Sequence, residues 1–366
     1  MVRDDPDNRA LGEVQINAGR SCRRFWVEAE MQTLRSRVGR KLRDIGLIPD
    51  PSAGFNMTQR AELQELTTPL MERLDALVAP QRPPGLGILD QYCSDTPSPQ
   101  TAVDIFAGEW ASRLPAPLAN VHAGSAPLFE IAHVPWGVKA LGGIEGQHVV
   151  ELGPLEGGHT SLMDRMGASE VVALEANTRA YLKCLIVKEL LGIPAARFEC
   201  GDALRYLENR LARGHEKFDF CLASGVLYHF VNPVEALDLI TRSSDRLLLW
   251  TMYYDEDIVR SREDLSVKFP SATESEYAGY RHTLYRQEYL QALDYKGFCG
   301  GSAASSAWMT RSDILGALEH FGFEIVDIGF EEENHKGNGP CICIAARRSR
   351  SRAETLETRH GRRSDG

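Results

Sequence analysis

The stretch that decides the fold is HVVELGPLEGGHT, residues 148–160. It indicates the end of a buried strand closed by Glu151, then a tight turn with glycine at 153, 157 and 158, then a helix that begins near Thr160. Glycine is needed where the backbone curls sharply or approaches a ligand closely. In open α/β sheets the ligand lies at the carboxyl ends of the strands. The stretch therefore predicts the first strand–turn–helix unit of a nucleotide-type cofactor fold.

The spacing of this turn indicates which cofactor it binds. Dinucleotide enzymes use G-x-G-x-x-G, and P-loop enzymes end their turn in Gly-Lys-Ser/Thr. This chain instead has Glu151-x-Gly153-x-x-x-Gly157-Gly158. A carboxylate beside the turn would repel a pyrophosphate, but it suits a ligand that carries a positive centre and an ammonium group. S-adenosylmethionine (SAM) has both, so SAM is the predicted cofactor.

Acids also follow the next two predicted strands. Glu175 closes the second strand about 20 residues past the turn, where a Rossmann-like fold places the carboxylate that accepts ribose hydroxyls. Asp202 follows the third strand, and SGVLYH, residues 224–229, follows the fourth. Either acid by itself would be explained as a helix N-terminal or N-cap residue. Because the acids follow successive hydrophobic strands, with the glycine turn first, together they predict a cofactor-binding sheet edge.

On these motifs the chain resembles the class I SAM-dependent methyltransferases. Over roughly residues 100–346 it is similar to an uncharacterised bacterial methyltransferase family, through FAGEWASRLP at 106–115, ELGPLEGGHT at 151–160 and GVLYH at 225–229. The GVLYH piece is also similar to the tRNA wobble-uridine carboxymethyltransferase group. That group has an acid-x-Gly-x-Gly-x-Gly turn, which differs from the turn of this chain. The group's carboxylated cofactor and RNA substrate are therefore not expected for this chain. The resemblance implies an α/β fold with a seven-stranded Rossmann-like sheet.

The resemblance also implies roles for individual residues. Glu175 would hold both ribose hydroxyls and Asp202 the adenine amino group, with small residues flanking the adenine ring. The methyl acceptor would meet the cofactor beyond the fourth strand. There His229 is the candidate base, because histidine titrates near neutral pH, and activity would rise through roughly pH 6–7. Tyr228 would orient the acceptor. The candidate cofactor-binding residues are Glu151, Gly153, Pro154, Gly157, Glu175, Ala176, Asp202, Ala203 and Ser224.

Composition limits the function classes. The chain has 366 residues, 43% apolar and 25% charged, as is ordinary for a globular protein. No apolar run approaches the roughly 20 residues that span a membrane, and the acidic start MVRDDPD is not typical of a signal peptide. A formal net charge of −10 is unfavourable for gripping long nucleic acid.

The eight cysteines include no C-x-x-C pair. Cys341 and Cys343 could be a pair of metal ligands or two buried thiols on one strand. The second explanation is favoured, so no metal site is predicted. Cys184, Cys200 and Cys221 fall in apolar segments and are expected in the core. Reduced cysteines predict a cytoplasmic protein.

The pattern along the chain predicts four regions. Residues 1–100 form a helical N-terminal extension and linker, and residues 101–146 pack on the core. Residues 147–346 form the SAM-binding domain, with an insertion at 253–309, and the arginine-rich tail 347–366 is disordered. The insertion holds seven of the 11 tyrosines, which fits either a lid over the substrate or a helical subdomain. Core strands are expected near 148–151, 171–175, 197–200, 218–223 and 246–252, with a closing hairpin at 323–329 and 340–346.

Three functions remain open. The favoured one is a SAM-dependent methyltransferase that transfers the methyl group to an oxygen of a small-molecule, sugar or lipid-linked acceptor. The second is a tRNA methyltransferase, kept open by the basic helix expected within residues 20–48 and disfavoured by the acidic net charge. The third is a SAM-binding scaffold without activity, which the intact motifs at Gly153, Glu175 and Asp202 disfavour.

Overall fold

The computed structural model describes residues 92–294 and 300–349. The helices expected at 20–48 and 59–78, the rest of the N-terminal extension up to residue 91, and the tail beyond residue 349 lie outside the described residues, as do Cys22, Tyr295 and Cys299.

A seven-stranded sheet forms the centre of the described region, in the order β3-β2-β1-β4-β5-β10-β9. Strands β1 to β5 run parallel, and β10 is antiparallel to both β5 and β9. The predicted α/β fold, a seven-stranded Rossmann-like sheet with a closing hairpin, is confirmed. The strands are β1 (His148–Leu152), β2 (Glu170–Glu175), β3 (Ala196–Cys200), β4 (Phe220–Ser224), β5 (Arg246–Met252), β6 (Ser271–Tyr277), β7 (Tyr280–Glu288), β8 (Ser305–Trp308), β9 (Phe323–Glu332) and β10 (Cys341–Arg348).

The described α-helices lie on both faces of this sheet or beside it. The helices are α1 (Pro99–Val103), α2 (His133–Ala140), α3 (Gly158–Arg165), α4 (Thr178–Leu191), α5 (Ala203–Ala212), α6 (Pro233–Ser243), α7 (Glu256–Ser261), α8 (Glu263–Ser266) and α9 (Arg311–His320). Side-chain caps determine where several of these helices begin, because they satisfy backbone N–H groups that have no partner within the helix. The sequence Thr310-Arg311-Ser312-Asp313 has the capping-box pattern, which predicts a helix start, and Thr310 accepts a hydrogen bond from the N–H of Asp313 at the start of α9. None of the helices within the described residues has the length and apolar character needed to cross a lipid bilayer.

Strand β1 shows why the sheet is buried on both faces. Val150 and Leu152 belong to the apolar cluster under α5, α6 and α9, whereas Val149 belongs to the cluster under α2 and α3. Alternate side chains of a strand point to opposite faces, and parallel strands covered by helices are apolar on both. The carboxyl ends of β1, β2 and β4 therefore meet at one edge, where the polar residues follow.

A buried carboxylate joins the first part of the segment 101–146 to the core. Glu156, in the turn after β1, accepts hydrogen bonds from the backbone N–H groups of Ala111 (2.9 Å) and Ser112 (2.7 Å). Its Oε1 also lies 3.0 Å from Nζ of Lys183 in α4, and the two side chains are 1% and 3% exposed. The same turn that is expected to hold the cofactor thus also holds the preceding segment.

The insertion at 253–309 is a three-stranded antiparallel sheet, β6-β7-β8, preceded by α7 and α8. The alternative of a helical subdomain is wrong. A two-residue turn joins β6 to β7, and both its residues, Ala278 (φ 48°) and Gly279 (φ 80°), are left-handed, as tight hairpins require. The tyrosines are largely packed: Tyr254 stacks on Tyr285 with ring centres 3.6 Å apart.

The six described cysteines are all free thiols. Cys184, Cys221, Cys341 and Cys343 are buried, but Cys200 is exposed. The expectation that Cys200 lies in the core is wrong, because it is the last residue of β3, the edge strand of the sheet, at the open cofactor edge.

Candidate functional site

The glycine turn after β1 adopts a backbone that only glycine tolerates well. Gly153 and Gly157 have φ values of 66° and 77°, in the left-handed region that L side chains rarely occupy. At Gly158 a Cβ would lie 2.7 Å from the backbone oxygen of Leu128. The turn is therefore shaped by backbone geometry and by the segment that packs over it.

Glu151 is the penultimate residue of β1, and its side chain lies inside the protein. It is 1% exposed, and its Oε2 accepts a hydrogen bond from the hydroxyl of Thr160 in α3. Its Oε1 has no hydrogen-bond partner within the described residues and lies 3.6 Å from Nδ1 of His159. A buried carboxylate oxygen without a partner costs free energy, so a cationic ligand group would be stabilised here.

Glu175, at the end of β2, is held rigidly. Its Oε2 accepts from the backbone N–H of Leu155 (3.0 Å) and its Oε1 from that of Asn177 (2.8 Å). Each carboxylate oxygen has a second acceptor site. Burial raises the pKa of this carboxyl, and the backbone donors partly offset that rise. The side chain lines the large cavity described below and can accept two further hydrogen bonds there.

The other candidate cofactor residues lie along the same edge. Asp202 caps α5, with its Oδ1 accepting from the N–H groups of Leu204 and Arg205, so the N-cap explanation of this acid holds. It also lines the cavity beside Ala176 and Ala203. Ser224, at the end of β4, is hydrogen bonded to His133 through its hydroxyl.

One cavity of about 1200 Å³ runs along the carboxyl ends of the strands. Its cofactor end contains every candidate cofactor residue except Glu151 and Gly157, which are buried and do not line the cavity. Its other end is lined by aromatic and histidine side chains. They are His133, Trp136, His159, Tyr228, His229, Trp250, Phe330 and His335. The site therefore has a polar, acid-bearing half and an aromatic half.

Several residues of the aromatic half were not identified from the sequence. His133 in α2 stacks on Trp250 of β5, with ring centres 6.2 Å apart, and its Nε2 lies 2.8 Å from the hydroxyl of Ser224. Burial, with the neighbouring His159 and His335, lowers the pKa of His133 to about 3. These residues come from segments far apart in the chain. The sequence signal that could have identified them is a polar or aromatic residue within an otherwise apolar strand or helix, such as Trp250 in RLLLWTM.

Both candidate catalytic residues line this half of the cavity. Nδ1 of His229 lies 2.9 Å from the hydroxyl of Tyr289, which follows β7 in the insertion. Burial lowers the pKa of His229 to about 4, so the imidazole is neutral at pH 7. The rise of activity with pH that is expected from this base therefore shifts from pH 6–7 to about pH 4. The ring of Tyr228 contacts those of Trp250 and Trp308, and burial raises its pKa, which keeps the phenol protonated.

Comparison with known proteins supports the fold. No family model and no curated protein sequence matches the chain. Two crystal structures of the N-terminal domain of EvdMO1, one with SAH bound and one in the presence of SAH and D-fucose, match with TM-scores of 0.52 and 0.51. Each is 20% identical and covers 69% of this chain and 95% of that domain. Magnesium protoporphyrin IX methyltransferase (ChlM) from Synechocystis PCC 6803 with bound SAH matches at 16% identity and a TM-score of 0.40, over 59% of this chain and 80% of that one. The EvdMO1 likeness shows that this chain has the same Rossmann-like fold.

Proposed function

We propose that the protein is a SAM-dependent methyltransferase that methylates a hydroxyl oxygen of a small-molecule, sugar or lipid-linked acceptor. The observation that carries the proposal is the divided cavity, with a glycine turn and carboxylates at one end and an aromatic, histidine-lined space at the other. Binding of SAH by the similar EvdMO1 domain supports the choice of cofactor.

The residues at the first end fit SAM. The spare acceptor sites of Glu175, which lines the cavity, suit the two ribose hydroxyls. Glu151 does not line the cavity, so its negative charge would favour the ammonium group without direct contact. Ala176 and Ala203 leave room for a flat adenine ring, with Asp202 beside it. The left-handed backbone at Gly153 and Gly157 sets the curve of the turn, which with Pro154 would border the space for the methionine portion.

When bound, SAM supplies an electrophilic methyl group attached to a sulfonium. The protein then has to align the acceptor oxygen with the methyl carbon and sulfur, and such positioning contributes much of the rate. The aromatic half excludes water and stacks on the acceptor. The neutral imidazole of His229 can accept the hydroxyl proton, and the Tyr289 hydroxyl holds that ring in place.

The charges around the cavity favour a small uncharged acceptor. Among the described residues that line it, the only lysine or arginine is Lys336, whereas four are acids. A polyanionic substrate needs the opposite balance. Aromatic walls suit the apolar faces of sugar rings, and one EvdMO1 structure was obtained in the presence of D-fucose.

Glu175→Ala is expected to weaken SAM and SAH binding by about 1–3 kcal/mol, the cost of losing charge-assisted hydrogen bonds. Isothermal titration calorimetry on the full chain measures it. Glu170→Ala, at the opposite end of β2, is the control and should bind normally. Unchanged affinity in Glu175→Ala would refute its role, and NAD binding without SAM binding would refute the cofactor class.

The alternative function, methylation of tRNA, predicts a different result. With a net charge of −10 and the acidic cavity, tRNA binding should be weak and should fall steeply with salt. A gel-shift titration at physiological salt tests this. Nanomolar affinity there would reverse the order of the two functions and would implicate the basic segment at 20–48, which lies outside the described residues.

A further inference from the structure

The β9–β10 hairpin brings three metal-ligand side chains together beside the cavity. A carboxylate oxygen of Glu332, a ring nitrogen of His335 and the sulfur of Cys341 all lie within 4.8 Å of one another. Nδ1 of His335 is 2.7 Å from Oε2 of Glu332. Neither the cofactor site nor the proposed base uses this cluster.

The backbone fixes these positions. Glu332 and Cys341 face each other across the antiparallel pair β9–β10, and residues directly opposite have side chains on the same face. The connecting loop returns His335 to the pair, with its N–H donating to the oxygen of Gly339 at 2.8 Å. Arg262 holds the loop from outside through hydrogen bonds to Asn334 (2.6 Å) and the oxygen of Gly337 (2.7 Å). The cluster is therefore built into the hairpin.

We propose that Glu332, His335 and Cys341 bind a zinc ion. Zinc takes thiolate, imidazole and carboxylate ligands together, and sites with three protein ligands keep a fourth position open. Ligand atoms in a tetrahedral zinc site are roughly 3.4–3.6 Å apart, from metal–ligand bonds of about 2.0–2.3 Å. The His335–Glu332 separation of 2.7 Å is shorter than that spacing, and all three ligand atoms lie within 4.8 Å of one another, so small side-chain rotations close the site. Zinc binding displaces the thiol proton of Cys341 and the proton of the hydrogen bond between His335 and Glu332, and both protons are released to solvent. The softer sulfur ligand selects zinc over magnesium or calcium.

The location suggests what the open position does. His335 lines the aromatic half of the cavity, and its ring centre is 5.2 Å from that of Trp250. An acceptor oxygen that enters this half can reach an ion held by His335. This part of the inference rests on the proposed function, whereas zinc binding itself does not.

The test measures bound metal directly. The full-length protein is stripped with a chelator, incubated with ZnCl₂, desalted and analysed for zinc by plasma mass spectrometry. The wild type should keep about one zinc per chain, and Cys341→Ser and Glu332→Gln should keep less than a tenth of that. The control is Cys343→Ser, because Cys343 is a buried thiol two residues along the same strand that lies outside the cluster; it should keep zinc normally.

A second measurement guards against misfolded variants. Cobalt added as CoCl₂ should give the thiolate charge-transfer absorption in the wild type and in Cys343→Ser but not in Cys341→Ser. Calorimetry with SAM is run on the same samples and should give unchanged affinity in Cys341→Ser, which shows that the variant is folded. The site is refuted if the wild type retains no zinc, or if Cys341→Ser, folded by that criterion, retains as much zinc as the wild type. Failure of SAM to bind any sample would refute the proposed function; the zinc content of the wild type and of Cys343→Ser would still test the zinc site, with near-UV circular dichroism showing that Cys341→Ser is folded.

Discussion

Replacement of His229 by alanine is expected to lower turnover by about 10²–10⁴-fold, the usual loss when a positioned base is removed. SAM affinity should stay within a few-fold, because the candidate cofactor residues lie at the other end of the cavity. A base works in its neutral form, that is, above its pKa. With the pKa lowered to about 4 by burial, kcat/KM should show no rise from this group through pH 6–7, where an unperturbed histidine titrates. Steady-state kinetics with labelled SAM and the true acceptor measure both quantities.

The control is His148→Ala, since His148 begins β1 and lies outside the cavity. Its turnover should be that of the wild type. Tyr289→Phe removes the hydroxyl bonded to His229 and should give an intermediate loss. If His229→Ala keeps most of its turnover while His133→Ala or His159→Ala loses it, then His229 only anchors the insertion and one of the other cavity histidines is the base.

Replacement of Glu156 by alanine is expected to lower the free energy of unfolding by about 3–5 kcal/mol, because it leaves the buried Lys183 charge uncompensated. The backbone N–H groups of Ala111 and Ser112 lose their acceptor as well. Urea unfolding at pH 7 measures the change. The segment 101–146 should also become more sensitive to proteases, since Glu156 holds it to the core.

An exposed ion pair provides the comparison. Glu130→Ala breaks the pair between Glu130 and Arg113, whose side chains are 59% and 57% exposed, and should cost less than about 1 kcal/mol. In the double variant Glu156→Gln/Lys183→Met no buried charge remains, so part of the lost stability should return. Equal effects of Glu156→Ala and Glu130→Ala would contradict this account.

The sequence by itself determined the central sheet and its open edge. Apolar strand segments, the first four of which end at or are followed by glycine or an acid, predicted β1 to β5 to within about two residues, because a parallel strand buried on both faces has to be apolar throughout. The same pattern placed Glu175, Ala176 and Asp202 around one cavity, since the carboxyl ends of parallel strands share one edge. The capping pattern at Thr310 gave the start of α9 because capping depends on local residues alone.

The insertion shows where local patterns were insufficient. Its β6–β7 hairpin turns through Ala278 and Gly279, and alanine with positive φ is not a recognisable turn signal. The hairpin is stabilised by contacts with remote helices, such as the hydrogen bond from the Tyr280 hydroxyl to the backbone oxygen of Asp313 in α9. Because the insertion packs on other parts of the protein in this way, most of its tyrosines, which suggested a lid in the sequence, are packing residues.

Only the tertiary structure decided the chemistry of the aromatic half. More than a hundred residues separate His133 from Trp250 in the chain, and strands β6 to β9 lie between Trp250 and His335. No spacing rule could therefore relate these three residues. Burial then set their protonation: the sequence suggests a histidine that titrates near neutrality at position 229, whereas the folded environment lowers that pKa to about 4. Desolvation depends on what surrounds a side chain in space. The sequence therefore determines the residue types and the strand ends. The fold determines which residues contact one another in the cavity and which charge states they have.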